Sequence, residues 1–534
     1  MAKGFRPVLR DQPFLLPPDM REWLPEGHLA WFVIDAVESL DVARFAVRVT
    51  PRGSLAGRAA YDPRVLLSLL VYGYAAGVRS SRRIERACAE DVAFRVICAQ
   101  DVPDHATIAR FRREHFADPA AMDDLFSQVL VLAARAGLGK LGLIALDGTK
   151  ITANASKDSN RTEKRLRELA AQILAQAEAV DAAEDELYGD ARGDELPPEL
   201  ADPVTRRDRI RRALADLDAE RKAAEQEQEA QVEQFRERQR AGGATGPAPA
   251  RAAAELAAEH LARAEAAHQQ KIDDWAARNA ASLAETGRPL RGCPPVPADQ
   301  YCRVKAARAR LARAEQRAAA AAAEDAGKAA AAKGPVRNLT DPQSRLMPVR
   351  GGGFIQGYNA QAQYSSDGLC LAVMVTADTT DFASFTPMMQ RAQAASELLR
   401  AHARGPLRRL KARIGIQLAD AGYCSEANLS VAGPDRLIAT GKHRDLGKAA
   451  APVNGHGGTL APAMAARLAG DPGRAAYRQR SPLAEGPFGN IKHNHGFRRF
   501  SMRGLARANS EWAFQNTVGN LQKIHATGWR PAPA

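Results

Sequence analysis

The sequence predicts an α/β core that follows an all-α N-terminal domain and is split by a long helical insertion. Two short apolar runs, LGLIALDGTK (141–150) and IGIQLADAGY (414–423), each lead into an aspartate with a glycine close behind, as a buried strand that ends in an acid does. Ahead of the first run, apolar positions recur at three- and four-residue spacing, the period of a helix face. Between the two runs the composition shifts to Ala, Glu, Arg, Gln and Lys, as in long helices.

Residues 1–140 form the expected helical, DNA-binding domain, with helix-period runs in DPRVLLSLLVYGYAAG (62–77) and SRRIERACAEDVAFRVIC (81–98). After Pro103, Asp104 and Thr107 can cap a short helix in DHATIARFRREHF (104–116). A short helix, a turn and a basic helix outline a helix-turn-helix, and Arg110, Arg112 and Arg113 are either its DNA-reading side chains or an ordinary solvated face. Residues 141–155 supply the first part of the core, a buried strand ending at Asp147. Residues 156–335 are the insertion. There Leu166, Ile173, Val180 and Leu187 repeat every seven residues, a coiled-coil seam whose second row is weakened by Gln176 and Ala183. Breaks at AGGATGPAPA (241–250) and RGCPPVPADQ (291–300) divide it into helices that fold back on one another, each of ~30 residues reaching about 45 Å. Residues 336–534 complete the core. Two strands flank the hairpin signal Ser365-Ser366-Asp367-Gly368, a helix follows near 383–400, then come the strand ending at Asp420, a strand in RLIATGK (436–442) and basic C-terminal helices.

Size and charge narrow the function classes. A chain of 534 residues is expected to hold more than one domain. Lys plus Arg outnumber Asp plus Glu by 75 to 62, and the net charge of +13 suits a polyanionic partner. Much of that excess lies after Asp471, which makes the tail a candidate phosphate-binding surface. Six scattered cysteines with no CxxC pair do not indicate disulfides, and a reducing cytoplasm fits them. With no signal-peptide core and no run of about 18 apolar residues, a soluble, cytoplasmic, nucleoid-associated protein is expected.

With the insertion set aside, the order of elements is that of an RNase H-like fold, in which the first and fourth strands are neighbours and their terminal Asp147 and Asp420 meet at one edge. Acids belong there if the reaction is in-line attack on a phosphodiester. Two divalent cations about 4 Å apart activate the attacking oxygen and stabilise the leaving one, and hard cations take carboxylate oxygens.

Seven segments, in order, resemble the DDE transposases of bacterial insertion sequences: YDPRVLLSLLVYGYAAGVRSSRRIE (61–85), PDHATIARFRREH (103–115), LDGTKITANASK (146–157), TDPQSRLM (340–347), GYNAQ (357–361), LADAGYCSE (418–426) and YRQRSPLAEGPFGNIKHNHGFRRF (477–500). The resemblance implies Asp147, Asp420 and Glu485 as the catalytic, metal-holding acids, with Mg²⁺ or Mn²⁺, two ions in all. It also implies that Tyr477, Arg480 and Lys492 hold DNA phosphates, although four residues separate Arg480 from Glu485 where the commonest form of the motif has three. The implied activity is metal-dependent cleavage at the element's terminal inverted repeats followed by 3′-OH attack on target DNA, by a dimer or multimer on paired ends. Arg110, Arg112 and Arg113 are the candidates for end recognition, and the insertion is the candidate for assembly. A catalytically inactive DNA-binding derivative and an interaction scaffold are the competing expectations.

Three local features stay open or bland. Asp381 either lies near the site or caps a helix; the string His493-Asn494-His495 is an accident; Cys293 and Cys302 are incidental loop cysteines. Pro487, two residues after Glu485, must sit in a helix's first turn or disturb it, and only an unbroken helix would put Lys492 on the face of Glu485.

Overall fold

A computed structural model describes residues 19–45, 60–169, 171–172, 202–240, 250–331, 336–349, 351–404, 413–441 and 455–531. The chain divides into two compact units, Met1–Ser159 with Thr340–Ala534, and Asn160–Leu339.

The first unit opens with helices α1 (Leu29–Glu38), α2 (Pro63–Ala75), α3 (Ser81–Glu90), α4 (Val92–Ile97), α5 (His105–His115) and α6 (Pro119–Arg135). Their starts follow from side-chain caps. Asp62, Asp91, Asp104 and Asp118 each accept a hydrogen bond from a backbone N–H of the first turn, and Pro63 and Pro119 take the position where no N–H is needed. The apolar faces of these helices do not form a core of their own. Phe32, Leu67, Tyr74, Phe111 and Val129 share one buried cluster with Ile144, Leu146 and Tyr358 of the sheet and with Trp512 and Phe514 of the C-terminal helix.

Strand β1 runs Leu143–Thr152, five residues past Asp147, so this aspartate is mid-strand rather than terminal. The extension exists because β1 has a long antiparallel partner, β5, paired from Ile144↔Ser365 to Thr152↔Gly357, and because Thr149, Ile151 and Thr152 suit a pleated surface.

The second unit begins with β2 (Asn160–Thr162), paired antiparallel with β3 (Val336–Asn338), and contains helices α7 (Asp202–Arg240), α8 (Ala250–Thr286) and α9 (Cys302–Ala331). Leu166 and Leu169 are buried against Ile210, Ala213 and Leu217. The remaining seam positions Ile173, Val180 and Leu187 lie outside the described residues. Helices α8 and α9 run antiparallel, since Arg308 pairs with Glu265 at 2.7 Å while the earlier Tyr301 stacks on the later His268 at 4.0 Å.

The first unit resumes with β4 (Arg345–Pro348), β5 (Phe354–Ser365), β6 (Cys370–Thr376), α10 (Phe385–His402), β7 (Ile416–Ala419), α11 (Glu426–Ser430) and β8 (Asp435–Ile438). Gly368 makes the β5–β6 turn with φ +78°, a conformation that only glycine adopts without strain. The sheet order is β4-β5-β1-β7-β8 with β6 also on β5, and β1, β7 and β8 are mutually parallel. Alternation along β1 decides what each face meets: Ile144 and Leu146 enter the large core, whereas Ala145 joins Leu418, Leu437, Met464, Tyr477 and Ala484 on the other face. Helices α12 (Ala461–Ala469), α13 (Asp471–Arg478) and α14 (Arg480–Gly489) supply that second layer. Pro487 lies inside α14, the chain then forms a π-helical turn over Asn490–Asn494, and α15 (Leu505–Ala526) closes the unit. Among the described residues no helix is long and apolar enough to cross a membrane.

Candidate active site

The parallel register of β1 and β7 places the first two acids. Their last pair is Ala145↔Leu418, so Asp147 and Asp420 both stand two residues beyond it, on the face of Ala145 and Leu418. Asp420 Oδ1 accepts from the Gly422 N–H at 2.9 Å, which turns the chain sharply out of the strand. Asp147 Oδ1 accepts from the Gly148 N–H at 2.8 Å. The Asp147 carboxyl is pushed up to about 6, first by burial and then by the charge of Asp420, with Arg480 pulling the other way.

Arg480, at the start of α14, is the cation that this pair meets. Its Nη1 donates to Asp147 Oδ2 at 3.1 Å and its Nη2 lies 3.7 Å from Glu485 Oε1. Arg480 is 11% exposed and Asp147 16%, whereas Glu485 is 54% exposed, so the first two are built in and the third reaches in from the surface. The buried ring of Tyr477 lies 6.0 Å from the Arg480 guanidinium carbon, and burial raises the Tyr477 hydroxyl. Lys492 leaves the π-helical turn and donates to Thr149 Oγ1 on β1, with its ammonium lowered first by burial and then by Arg498. The run from Glu485 to Lys492 is therefore not one α-helix: Pro487 has no N–H to give, and the backbone widens to π geometry immediately after α14.

Asp381 lies beside Asp420. Its side chain makes no cap bond; Oδ1 accepts from Asn359 Nδ2 at 2.6 Å and Gln361 Nε2 at 2.8 Å, and Lys150 Nζ lies 3.6 Å away. A Cβ on Gly422 would lie 3.0 Å from Asp420 Oδ1 and 3.1 Å from Asp381 Oδ2, and one on Gly148 would lie 3.0 Å from Asp381 Oδ1. A side chain at Gly422 would crowd both Asp420 and Asp381, and one at Gly148 would crowd Asp381 and Gln361. Tyr423 completes the support by donating to Gln361 Oε1.

Asp147, Asp420, Glu485, Tyr477, Arg480 and Lys492 are thus brought to one region of the first unit. Arg110 and Arg113 are exposed on α5 away from these contacts, while Arg112 donates to the Arg79 carbonyl at 2.5 Å, a bond that ties α5 to the approach of α3. His493 meets Arg498 and His495 meets Gln515, and Cys293 and Cys302 are free and exposed. Lys150, Asn359, Gln361 and Tyr423 were not anticipated. The signal for the last three was present in GYNAQ and DAGY, where polar side chains interrupt otherwise apolar runs.

Does this set suit a divalent cation? Two carboxylates held together, one with a raised proton affinity, form a site in need of positive charge, and their hard oxygen donors match such an ion. Among the described residues no group of three His, Cys, Asp or Glu side chains is close enough to hold one, and the Arg480 guanidinium stands between Asp147 and Glu485.

Residues 18–114 match the family model described as "Transposase domain (DUF772)", and residues 453–525 match the one described as "Transposase DDE domain". The second match contains Tyr477, Arg480, Glu485 and Lys492; Asp147 and Asp420 lie outside both. No curated protein and no solved structure matches the chain.

Proposed function

We propose that this chain, a DDE transposase of the insertion-sequence type by both of its family matches, cleaves DNA at its element's ends and joins the released 3′-OH to target DNA. The observation that carries the reading is the register that sets Asp147 and Asp420 side by side, with Arg480 linking Asp147 to Glu485. The strand order supports an RNase H-like core, since the strand bearing the first acid lies between the antiparallel β5 and the parallel β7.

Asp147 and Asp420 are the residues to hold Mg²⁺ or Mn²⁺, with Glu485 as the third donor; the metal supplies activation of the attacking oxygen and stabilisation of the leaving one. The chain's own side chains do the rest. Arg480 keeps the acids neutralised before loading, Tyr477 buttresses the guanidinium, and Lys492 presents a cation above Thr149 where a scissile phosphate needs one. Asp381 fixes Lys150 and, through Asn359 and Gln361, the strand floor beneath both acids. Contacts to DNA phosphates position the substrate, and the exposed Arg110 and Arg113 on α5 are available to read the terminal repeats.

Incubation with end DNA and Mg²⁺ tests this directly. The wild type is expected to nick the transposon end, while Asp147→Ala, Asp420→Ala and Glu485→Ala bind it without nicking. Equal nicking by all four would remove the assignment, and binding without nicking by the wild type would favour an inactive derivative.

A further inference from the structure

The second unit carries a groove lined by none of the candidate active-site residues. It is a cavity of about 650 Å³ along the seam of α8 and α9, with Leu256 and Phe235 among its apolar walls and His260, Arg310, Arg313 and Arg317 on its rim. Among the described residues no acidic side chain lines it. The rim follows from the spacing of α9. Val304, Ala307, Leu311, Ala314 and Ala318 form the inward stripe, and Arg303, Arg310 and Arg317 repeat at seven residues on its flank, with Arg313 beside them. Glu315, the one acid between Cys302 and Arg317, falls on the opposite face. Arg308 has a partner in Glu265, whereas Arg303, Arg310, Arg313 and Arg317 are exposed and have no ion-pair partner among the described residues.

We infer that this arginine flank is a second DNA-backbone surface, carried on the insertion; the inference rests on the transposase reading for its choice of polyanion. A solvated helix face of mixed sign would need no partner, but four guanidinium groups of one sign along a helix flank, three of them on the rim of an apolar cleft, repel one another until an anion joins them. Arg303 to Arg317 covers about 21 Å of helix axis, and a duplex presents a phosphate about every 3.4 Å on each strand, so several contacts can form along one groove edge. The guanidinium fork suits phosphate oxygens in pairs.

The test uses the full-length protein in EDTA, so that cleavage plays no part, with a labelled 30-base-pair duplex of arbitrary sequence and anisotropy read across a KCl series. Replacing Arg310, Arg313 and Arg317 together by Gln is expected to lower the slope of log affinity against log salt by about 2 to 3, at roughly 0.9 per phosphate contact. Affinity should fall about tenfold or more at low salt, and the three Arg→Lys changes should restore most of the slope. A control that removes equal charge outside the groove, Arg288→Gln, Arg291→Gln and Lys305→Gln, is expected to change the slope by less than about 1. Equal slopes for the groove variant and the control would overturn the inference. So would a change in sedimentation state with an unchanged slope, since that outcome makes the groove a protein interface. Loss of Mg²⁺-dependent nicking by the wild type would instead strike the transposase reading and leave the slope comparison standing.

Discussion

Replacing Asp147 by Asn should make the metal-free protein more stable while removing its cleavage activity. The carboxyl is raised from an ordinary 3.8 to about 6, by burial first and by Asp420 second. A folded-state value above the unfolded one means that the folded chain holds this proton more tightly. The carboxyl therefore costs nothing extra below about pH 4, and its penalty accumulates as pH rises through the window from 3.8 to about 6. At about 1.4 kcal/mol per tenfold, the full penalty at neutral pH is about 3 kcal/mol. The value of about 6 already includes the opposing pull of Arg480, but Asn has one oxygen for the two donors that Asp147 accepts from, Arg480 Nη1 and the Gly148 N–H, and losing one acceptor offsets on the order of 1 kcal/mol. Asp147→Asn should then be about 1 to 2 kcal/mol more stable than the wild type at pH 7.5, and the advantage should vanish by about pH 4. Urea denaturation in EDTA at the two pH values measures both. Adding Mg²⁺ should stabilise the wild type by mass action and leave the variant unmoved. A variant less stable than the wild type at pH 7.5, or a gain that does not change with pH, would refute this account of the paired acids.

Gly422→Ala should leave the fold intact, because the backbone there needs no left-handed conformation, yet its new Cβ would press on both Asp420 and Asp381. Calorimetric Mn²⁺ titration should show binding weakened by about tenfold, which is ~1.4 kcal/mol, and unchanged binding would count against Asp381 as part of the site. Glu485→Gln changes a half-exposed side chain, so its denaturation midpoint should stay within about 0.5 kcal/mol of the wild type while nicking is lost. Glu511 is fully buried and accepts from the Tyr74 hydroxyl at 3.0 Å, the Ser501 N–H at 2.8 Å and the Ser501 hydroxyl at 2.7 Å. Glu511→Ala strands those donors and opens a cavity, and a loss of about 3 kcal/mol or more is expected by urea melt; a loss below about 1 would mean that water replaces the carboxylate.

The acids on β1 and β7 were legible because each ends an apolar run and is followed closely by a glycine, and both signals are local. The length of β1 was not, since residues past Asp147 are strand only because β5 pairs with them more than two hundred residues away in sequence. The shared core of N-terminal helices and sheet is hidden for the same reason: Tyr74 meets Phe514 edge-on at 5.0 Å, and no local period announces such a contact. Pro487 signalled a disturbed helix correctly, but whether it would lie in a first turn or break the register toward Lys492 depended on how α14 packs over β1. Asp381 could be read either way in the sequence, because its partners Asn359 and Gln361 stand on β5, some twenty residues earlier. In the second unit, the heptad that was easiest to see, from Leu166 onward, is described only at its first position, and the arginine heptad of α9 went unread beside it.

Metal held by Asp147 and Asp420 is the central requirement of the proposed cleavage. Single-turnover cleavage of end DNA by Asp147→Cys and Asp420→Cys measures it, because a thiolate accepts Mn²⁺ far better than Mg²⁺. Both variants should be inactive with Mg²⁺ and regain cleavage with Mn²⁺, whereas Asp147→Ala and Asp420→Ala stay inactive with either ion. Full activity of the cysteine variants in Mg²⁺, or Mn²⁺ rescue of the alanine variants to the same extent, would contradict it.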